Sequence, residues 1–246
     1  MMTGVPDVSQ LIVQLQQYLR WQQAHGCRGV SCSAQTRQIL ASWSGPQTAR
    51  RKKSFVETAS APQESLEQIR EDLGECRRCR LHAGRAHIVF GAGSSRARLM
   101  FVGEAPGFNE DRQGEPFVGQ AGQLLSKIIS AMTLSREDVY ICNVIKCRPS
   151  QNRNPMPDEI AACAPFLQRQ IQSVQPEFIC ALGSFAAQTL LKSQRSISLL
   201  RGRFYDYQGI RLIPTFHPAY LLHHPEKKRQ VWDDMQLLME AMGIRR

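Results

Sequence analysis

The sequence predicts an α/β fold: a three-layer α/β/α sandwich around a central, mostly parallel sheet, with a poorly ordered or helical N-terminal extension. Two patterns predict the sandwich, and a break in composition predicts the extension. From Ser65 onward, short apolar runs of strand length alternate with amphipathic stretches of helix length. The runs are apolar at successive positions, as strands covered on both faces are. Ahead of residue 64 this alternation is absent. The expected division is therefore 1–63 for the extension and 64–246 for the domain.

In the extension, Val8 to Trp21 (VSQLIVQLQQYLRW) carries apolar residues at near-helical spacing, which suits a short docking or self-association helix. His25 to Pro62 is rich in Gly, Ser, Ala, Gln and Thr, includes the basic cluster Arg50-Arg51-Lys52-Lys53, and reads as linker. In the domain, Leu66 to Leu73 reads as a helix, and Arg98 to Gly103 (RLMFVG) and Val139 to Ile145 (VYICNVI) as buried strands. Gln120 to Met132 and Asp158 to Val174 read as amphipathic helices. Phe178 to Gly183 (FICALG) is a further strand, leading into a helix from Ser184 to Lys192. Phe204 to Tyr207 and Arg211 to Phe216 flank a Gln-Gly turn and form a hairpin, and Glu226 to Met242 closes the chain as a helix. No internal repeat is present. In parallel sheets, ligands gather at the C-terminal ends of the strands, so chemistry is sought there.

Composition excludes several classes. With 42% hydrophobic residues among 246, the chain has material for a sizeable core, which excludes general disorder. No apolar run reaches the roughly 20 residues of a membrane span, and no secretory h-region opens the chain. A soluble, intracellular protein is expected. The net charge of +10 suits a polyanionic partner, of which nucleic acid is the commonest; a solvated basic surface is the plain alternative. Residues 1–63 hold seven basic and two acidic side chains, so half the excess sits on a quarter of the chain.

Eight cysteines in a chain without an export signal argue against a disulfide framework. Cys76 and Cys79 form a C-x-x-C pair in a basic loop after a helix. Cys147 follows a strand and Cys163 lies in the next helix. Four such thiolates make a site for zinc or for an iron–sulfur cluster, against the alternative of core packing. Cys142 and Cys180 fall inside apolar strands and read as small buried hydrophobes.

Three strand-to-loop junctions carry polar residues. Gly103-Glu104-Ala105-Pro106-Gly107 follows the first strand, and its glycines allow a ligand to approach the backbone. Phe117, between glycines and ahead of a helix, is either a core plug or a stacking platform. Asn143 interrupts an apolar strand, and its amide needs partners in a local network or from a ligand. His217, after the last apolar strand, is either a helix cap or a functional side chain. In a parallel sheet the junctions of Glu104, Asn143 and His217 converge.

At these residues the sequence resembles the iron–sulfur, family-4 branch of the uracil-DNA glycosylases. The resemblance runs from about Leu73 to Met242 through CRRCRL, GEAPGFNED, GEPFVGQAGQLL, NVIKCRPSQNRNPMPDEIAAC and HPAYLL, in the family's order. It implies excision of uracil from DNA as part of base excision repair, with a structural [4Fe–4S] cluster on Cys76, Cys79, Cys147 and Cys163. It implies uracil binding by Gly103, Ala105, Gly107, Phe117, Asn143 and His217, and catalysis by Glu104 and His217. Better-known relatives carry Asp where this chain has Ala105, and a thymine-excluding Tyr where it has Gly107.

By the same resemblance, Leu221 is the residue that wedges into duplex DNA, and Lys146, Arg148, Arg153 and the Lys227-Lys228-Arg229 run meet phosphates. The partner implied is uracil-containing DNA, single- or double-stranded, acted on by a cytoplasmic, nucleoid-associated monomer. The extension lies outside the resemblance and inherits nothing from it; a docking arm for a repair or replication protein is the expectation there. Two rivals use the same residues differently: a glycosylase for another lesion, such as hypoxanthine or mispaired thymine, and a non-cleaving iron–sulfur module that binds nucleic acid.

Overall fold

The computed structural model describes residues 64–244. The expected helix at Val8–Trp21 and the linker after it lie outside the described residues. Six strands run in chain order as β1 (Ala92–Gly93), β2 (Leu99–Gly103), β3 (Tyr140–Asn143), β4 (Phe178–Leu182), β5 (Tyr205–Tyr207) and β6 (Ile210–Thr215). They form one sheet in the order β1-β3-β2-β4-β6-β5. The four central strands are parallel, and β1 and β5 are antiparallel edges.

The helices are α1 (Leu66–Leu73), α2 (Phe108–Gln113), α3 (Gln120–Ala131), α4 (Pro157–Val174), α5 (Gly183–Leu191), α6 (Ile197–Leu200), α7 (Pro218–His223) and α8 (Lys228–Met242). Every residue of β2, β3 and β4 is buried, and alternate side chains enter opposite layers. Met100, Val102, Cys142, Ile179 and Ala181 pack with α1, α4 and α5. Leu99, Phe101, Ile141, Phe178 and Cys180 pack with α3 and α8 on the other side. Apolar runs without polar alternation produce this result, because both faces of the sheet must be covered. The sandwich is the one the sequence predicts.

α1 begins at a capping box: the Gln68 N–H donates to Ser65 Oγ at 3.2 Å, and the Ser65 N–H to Gln68 Oε1 at 2.8 Å. Arg169 of α4 pairs with Glu64 and Asp72, holding α1 against α4. Two expected spans change by more than one residue at an end. The strand expected at Val139–Ile145 is only Tyr140–Asn143. Beyond it, the Val144 and Ile145 N–H groups bond to the carbonyls of Gly103 and Glu104, which ties the two loop starts together. The final helix begins at Lys228, after a separate 3₁₀ turn at Pro225–Lys227. Among the described residues, no helix is long and apolar enough to cross a membrane.

Candidate active site

Parallel pairing brings the C-terminal ends of β2, β3 and β6 to one edge of the sheet. There Glu104–Gly107, Asn143 and His217 line a single cavity of about 270 Å³, together with Glu110, Phe117, Asn152 and Arg153. The convergence expected of the three junctions is observed.

Gly103 and Asn143 are register partners across β2 and β3. A Cβ at Gly103 would stand 2.3 Å from Asn143 Oδ1 and 2.6 Å from Phe117 Cζ. Only glycine lets the amide and the ring close over the strand end. Asn143 is 1% exposed, and its Oδ1 has no hydrogen-bond partner among the described residues. A buried acceptor left open in this way can take a donor from a ligand or a water.

Phe117 is buried and forms one wall of the same cavity. Its backbone is left-handed, with φ of 55°. Arg136 holds it there, Nη2 donating to Pro116 O at 2.8 Å and Nη1 to Phe117 O at 3.2 Å. A Cβ at Gly122 would lie 1.9 Å from Phe117 O, so the first turn of α3 can seat this carbonyl only with glycine there. The ring centroid is 5.6 Å from that of His217.

His217 caps α7: its Nδ1 accepts the Ala219 N–H at 3.1 Å. The ring proton therefore sits on Nε2, which is free to donate. Burial lowers its pKa from the ordinary 6.5 to about 4, with Glu110 pulling weakly the other way, so the imidazole is neutral at physiological pH. Burial acts oppositely on Glu104 and raises its carboxyl to about 7.

Glu110 escaped the sequence reading. Its Oε1 accepts the Val118 and Gly119 N–H groups at 2.9 Å each and so fixes the turn that leads into α3. The partners are eight and nine residues away, outside any local capping pattern, and the sole signal was the carboxylate's place in GEAPGFNED. A Cβ at Gly107 would meet Glu110 Oε2 at 2.7 Å, so this carboxylate fills the space beside the glycine.

Of the expected phosphate contacts, Lys228 and Arg229 are exposed. Arg153 lines the cavity but is forked onto the fully buried Glu159, Nη1 donating to Oε2 at 2.9 Å. Arg148 donates to Asn152 Oδ1 at 2.7 Å. Lys146 is a correction: it is 0% exposed and donates Nζ to Asn143 O at 2.7 Å, so it cannot meet a phosphate on the surface. Leu221 is a second correction. At 1% exposure it packs into the core between α3 and α8, while Tyr220 and Leu222 beside it are exposed at 38% and 42%. A wedge needs an exposed side chain, and Leu221 does not present one.

Cys76, Cys79, Cys147 and Cys163 pack around one apolar cluster and are electrostatic neighbours. Arg85 Nη1 donates to Cys147 Sγ at 3.4 Å and to Cys76 O at 2.7 Å, bridging the two segments that carry the four. Burial pushes the Cys147 thiol up to about 11, with Arg85 opposing. Among the described residues, no three His, Cys, Asp or Glu gather as a metal site.

The family model for the Uracil DNA glycosylase superfamily matches residues 90–236. The chain is 43% identical over 189 residues to a type-4 uracil-DNA glycosylase of Saccharolobus solfataricus, covering 73% of this chain and 88% of that one. It is 44% identical over 178 residues to the type-4 enzyme of Thermotoga maritima, covering 71% and 93%. It is 40% identical over 188 residues to that of Archaeoglobus fulgidus, covering 73% and 94%. Motifs that converge on one cavity, and relatives matched over most of their own length, lead to one conclusion: the chain belongs to the uracil DNA glycosylase superfamily, in its type-4 branch.

Proposed function

We propose that the protein is a monofunctional uracil-DNA glycosylase, hydrolysing the N-glycosidic bond of uracil in DNA, releasing the free base and leaving an abasic site. The observation that carries this reading is the unpaired, buried Oδ1 of Asn143 at the cavity wall. A uracil turned out of the stack presents N3–H to that oxygen and O4 to the Asn143 amide nitrogen. Cytosine reverses both polarities and leaves buried groups unpaired, a mismatch that polar sites reject by factors of about 10⁴. Phe117 offers its face to the flipped ring.

Bond breaking places negative charge on uracil O2 and positive charge on the sugar. His217, neutral and with its proton on Nε2, donates to O2 as that charge grows, without transferring a proton. Glu104, once ionised, orients the attacking water or offsets the sugar's charge. Glu110 occupies the space beside Gly107 where better-known relatives place a thymine-excluding tyrosine, and so stands where a 5-methyl group would enter.

The four cysteines fit a [4Fe–4S] cluster, whose contribution when bound is to cross-link the Cys76 loop to the Cys147–Cys163 segment. Two features of the protein support this fit. The donor set is four sulfurs on one apolar wall, a set that suits an iron–sulfur cluster. In addition, Lys146 is a fully buried ammonium with no carboxylate partner among the described residues, and an anionic thiolate cluster supplies the charge it lacks. Residues 1–63 are assigned as a separate extension, a docking arm for a repair or replication protein, on composition alone. The enzyme is assigned as a cytoplasmic monomer.

The test is to incubate the purified protein, in EDTA, with a single-stranded oligonucleotide carrying one uracil, then to treat it with hot alkali. A nick at uracil and none in a cytosine control is the expected result. Folded, brown protein that leaves both strands intact would overturn the assignment.

A further inference from the structure

Phe108 is the one phenylalanine among the described residues that stands exposed, at 51%. It opens α2 directly after Gly107 of the cavity wall, so it sits at the rim and not inside. Two guanidiniums face its ring, Arg148 at 5.1 Å and Arg112 at 5.7 Å from the centroid. Neither has a carboxylate partner among the described residues. Arg148 is oriented through its bond to Asn152, itself a lining residue. An exposed ring costs solvation and is not buried by anything described, while two unpaired cations beside it form a site for an anion next to a flat apolar surface. A nucleotide has both parts.

We propose that Phe108, Arg112 and Arg148 form a second nucleotide subsite, in which the unpaired base adjoining the uracil stacks on Phe108 and its phosphate lies between the guanidiniums. The proposal rests on the glycosylase reading for its ligand and extends it to a neighbour-base contact. A base free to stack is available in single-stranded DNA and is held by its partner strand in a duplex, so the subsite favours single strands.

The experiment is a cycle between Phe108 and the neighbouring base. Uracil release by the whole protein and its Phe108→Ala, Phe108→Leu and Phe108→Trp variants is measured on single-stranded oligonucleotides. In matched substrates a tetrahydrofuran residue replaces the base 5′ or 3′ of the uracil. Phe108→Ala is expected to raise KM about 5- to 20-fold with kcat retained, Trp to restore it and Leu not to. Removing the neighbour on one side should cost the unmodified protein the same factor and the Ala variant nothing, which also identifies the side. In parallel, 2-aminopurine at that position should be quenched on binding by the unmodified protein and not by Phe108→Ala. Equal Phe108 effects whichever neighbour is removed, or Leu acting like Phe, would overturn the subsite. Quenching without any uracil release would retain the subsite and remove the glycosylase reading; release without Phe108-dependent quenching would do the reverse.

Discussion

Asn143 shows how much of the proposed selectivity can rest on two atoms. Asn143→Asp keeps the acceptor but turns the donor into a second, negatively charged acceptor facing O4. Uracil release should fall at least about 100-fold, with folding midpoint little changed, because a buried unpaired carboxylate at the base repels the charge that develops there. Undiminished release by this variant would remove Asn143 as the reader. Glu104 is a pH-dependent case. Its carboxyl is raised from 4.5 to about 7 by burial, so it contributes to stability below about 4.5 and loses that contribution as pH rises through about 7. If the carboxylate is the working form, activity climbs over the same window. Glu104→Gln should lower kcat by about 100-fold, flatten the pH profile near 7, and make the protein more resistant to unfolding above that pH. His217 has the opposite sign: lowered to about 4, it adds stability above its ordinary 6.5 and loses it as pH falls through about 4. Thermal melts across pH separate the two.

The elements that place these residues were unequally legible. Leu66–Leu73, α3 and α4 could be read because each repeats a 3.6-residue pattern over two or more turns, and the central strands because they are short unbroken apolar runs. Two-residue β1 and the short α6 and α7, of four and six residues, carry too little pattern to be seen. That is why Leu221, expected to face DNA, faces the core: which side of α7 turns inward depends on α3 and α8, not on the run YLL itself. The element predicts its own test. Tyr220 stacks between Phe216, at 5.2 Å, and His224, at 4.2 Å, and projects with Leu222 from the end of the sheet. Tyr220→Ala with Leu222→Ala should weaken release from duplex DNA more than from single strands, whereas Leu221→Ala should lower the melting temperature, as loss of a buried leucine costs about 2–5 kcal/mol. Parallel assays on the two substrates, with melts, check this. The end of β6 is also braced: Thr215 donates to the buried Asp234 at 2.6 Å, and Arg201 forks onto the same carboxylate. His217 projects two residues beyond this anchor. Such a network joins side chains far apart in sequence, so no local pattern announces it.

On the scale of the whole molecule, one short stretch of chain links the reading amide to the cysteine site. Asn143 ends β3, Lys146 reaches back to its carbonyl, and Cys147 follows at once. By sequence Lys146 reads as a surface cation, because a lysine in a loop beside Arg, Pro and Asn ordinarily is one; only closure of the domain buries it. Lys146→Met should lower iron content and visible absorption per folded chain, with Lys146→Arg intermediate. Full iron loading of the Met variant would dissociate this cation from the cluster. The uncharged state of His217 has a consequence of a different kind. Salt weakens contacts between cations and phosphates, but it screens charges and has little purchase on a neutral donor enclosed beside a ring. Added chloride should therefore act on capture and spare turnover: KM climbs steeply with ionic strength while kcat at saturation stays level. Such an enzyme would work at the same maximal pace in dilute and concentrated salt, differing only in how often it finds DNA to work on.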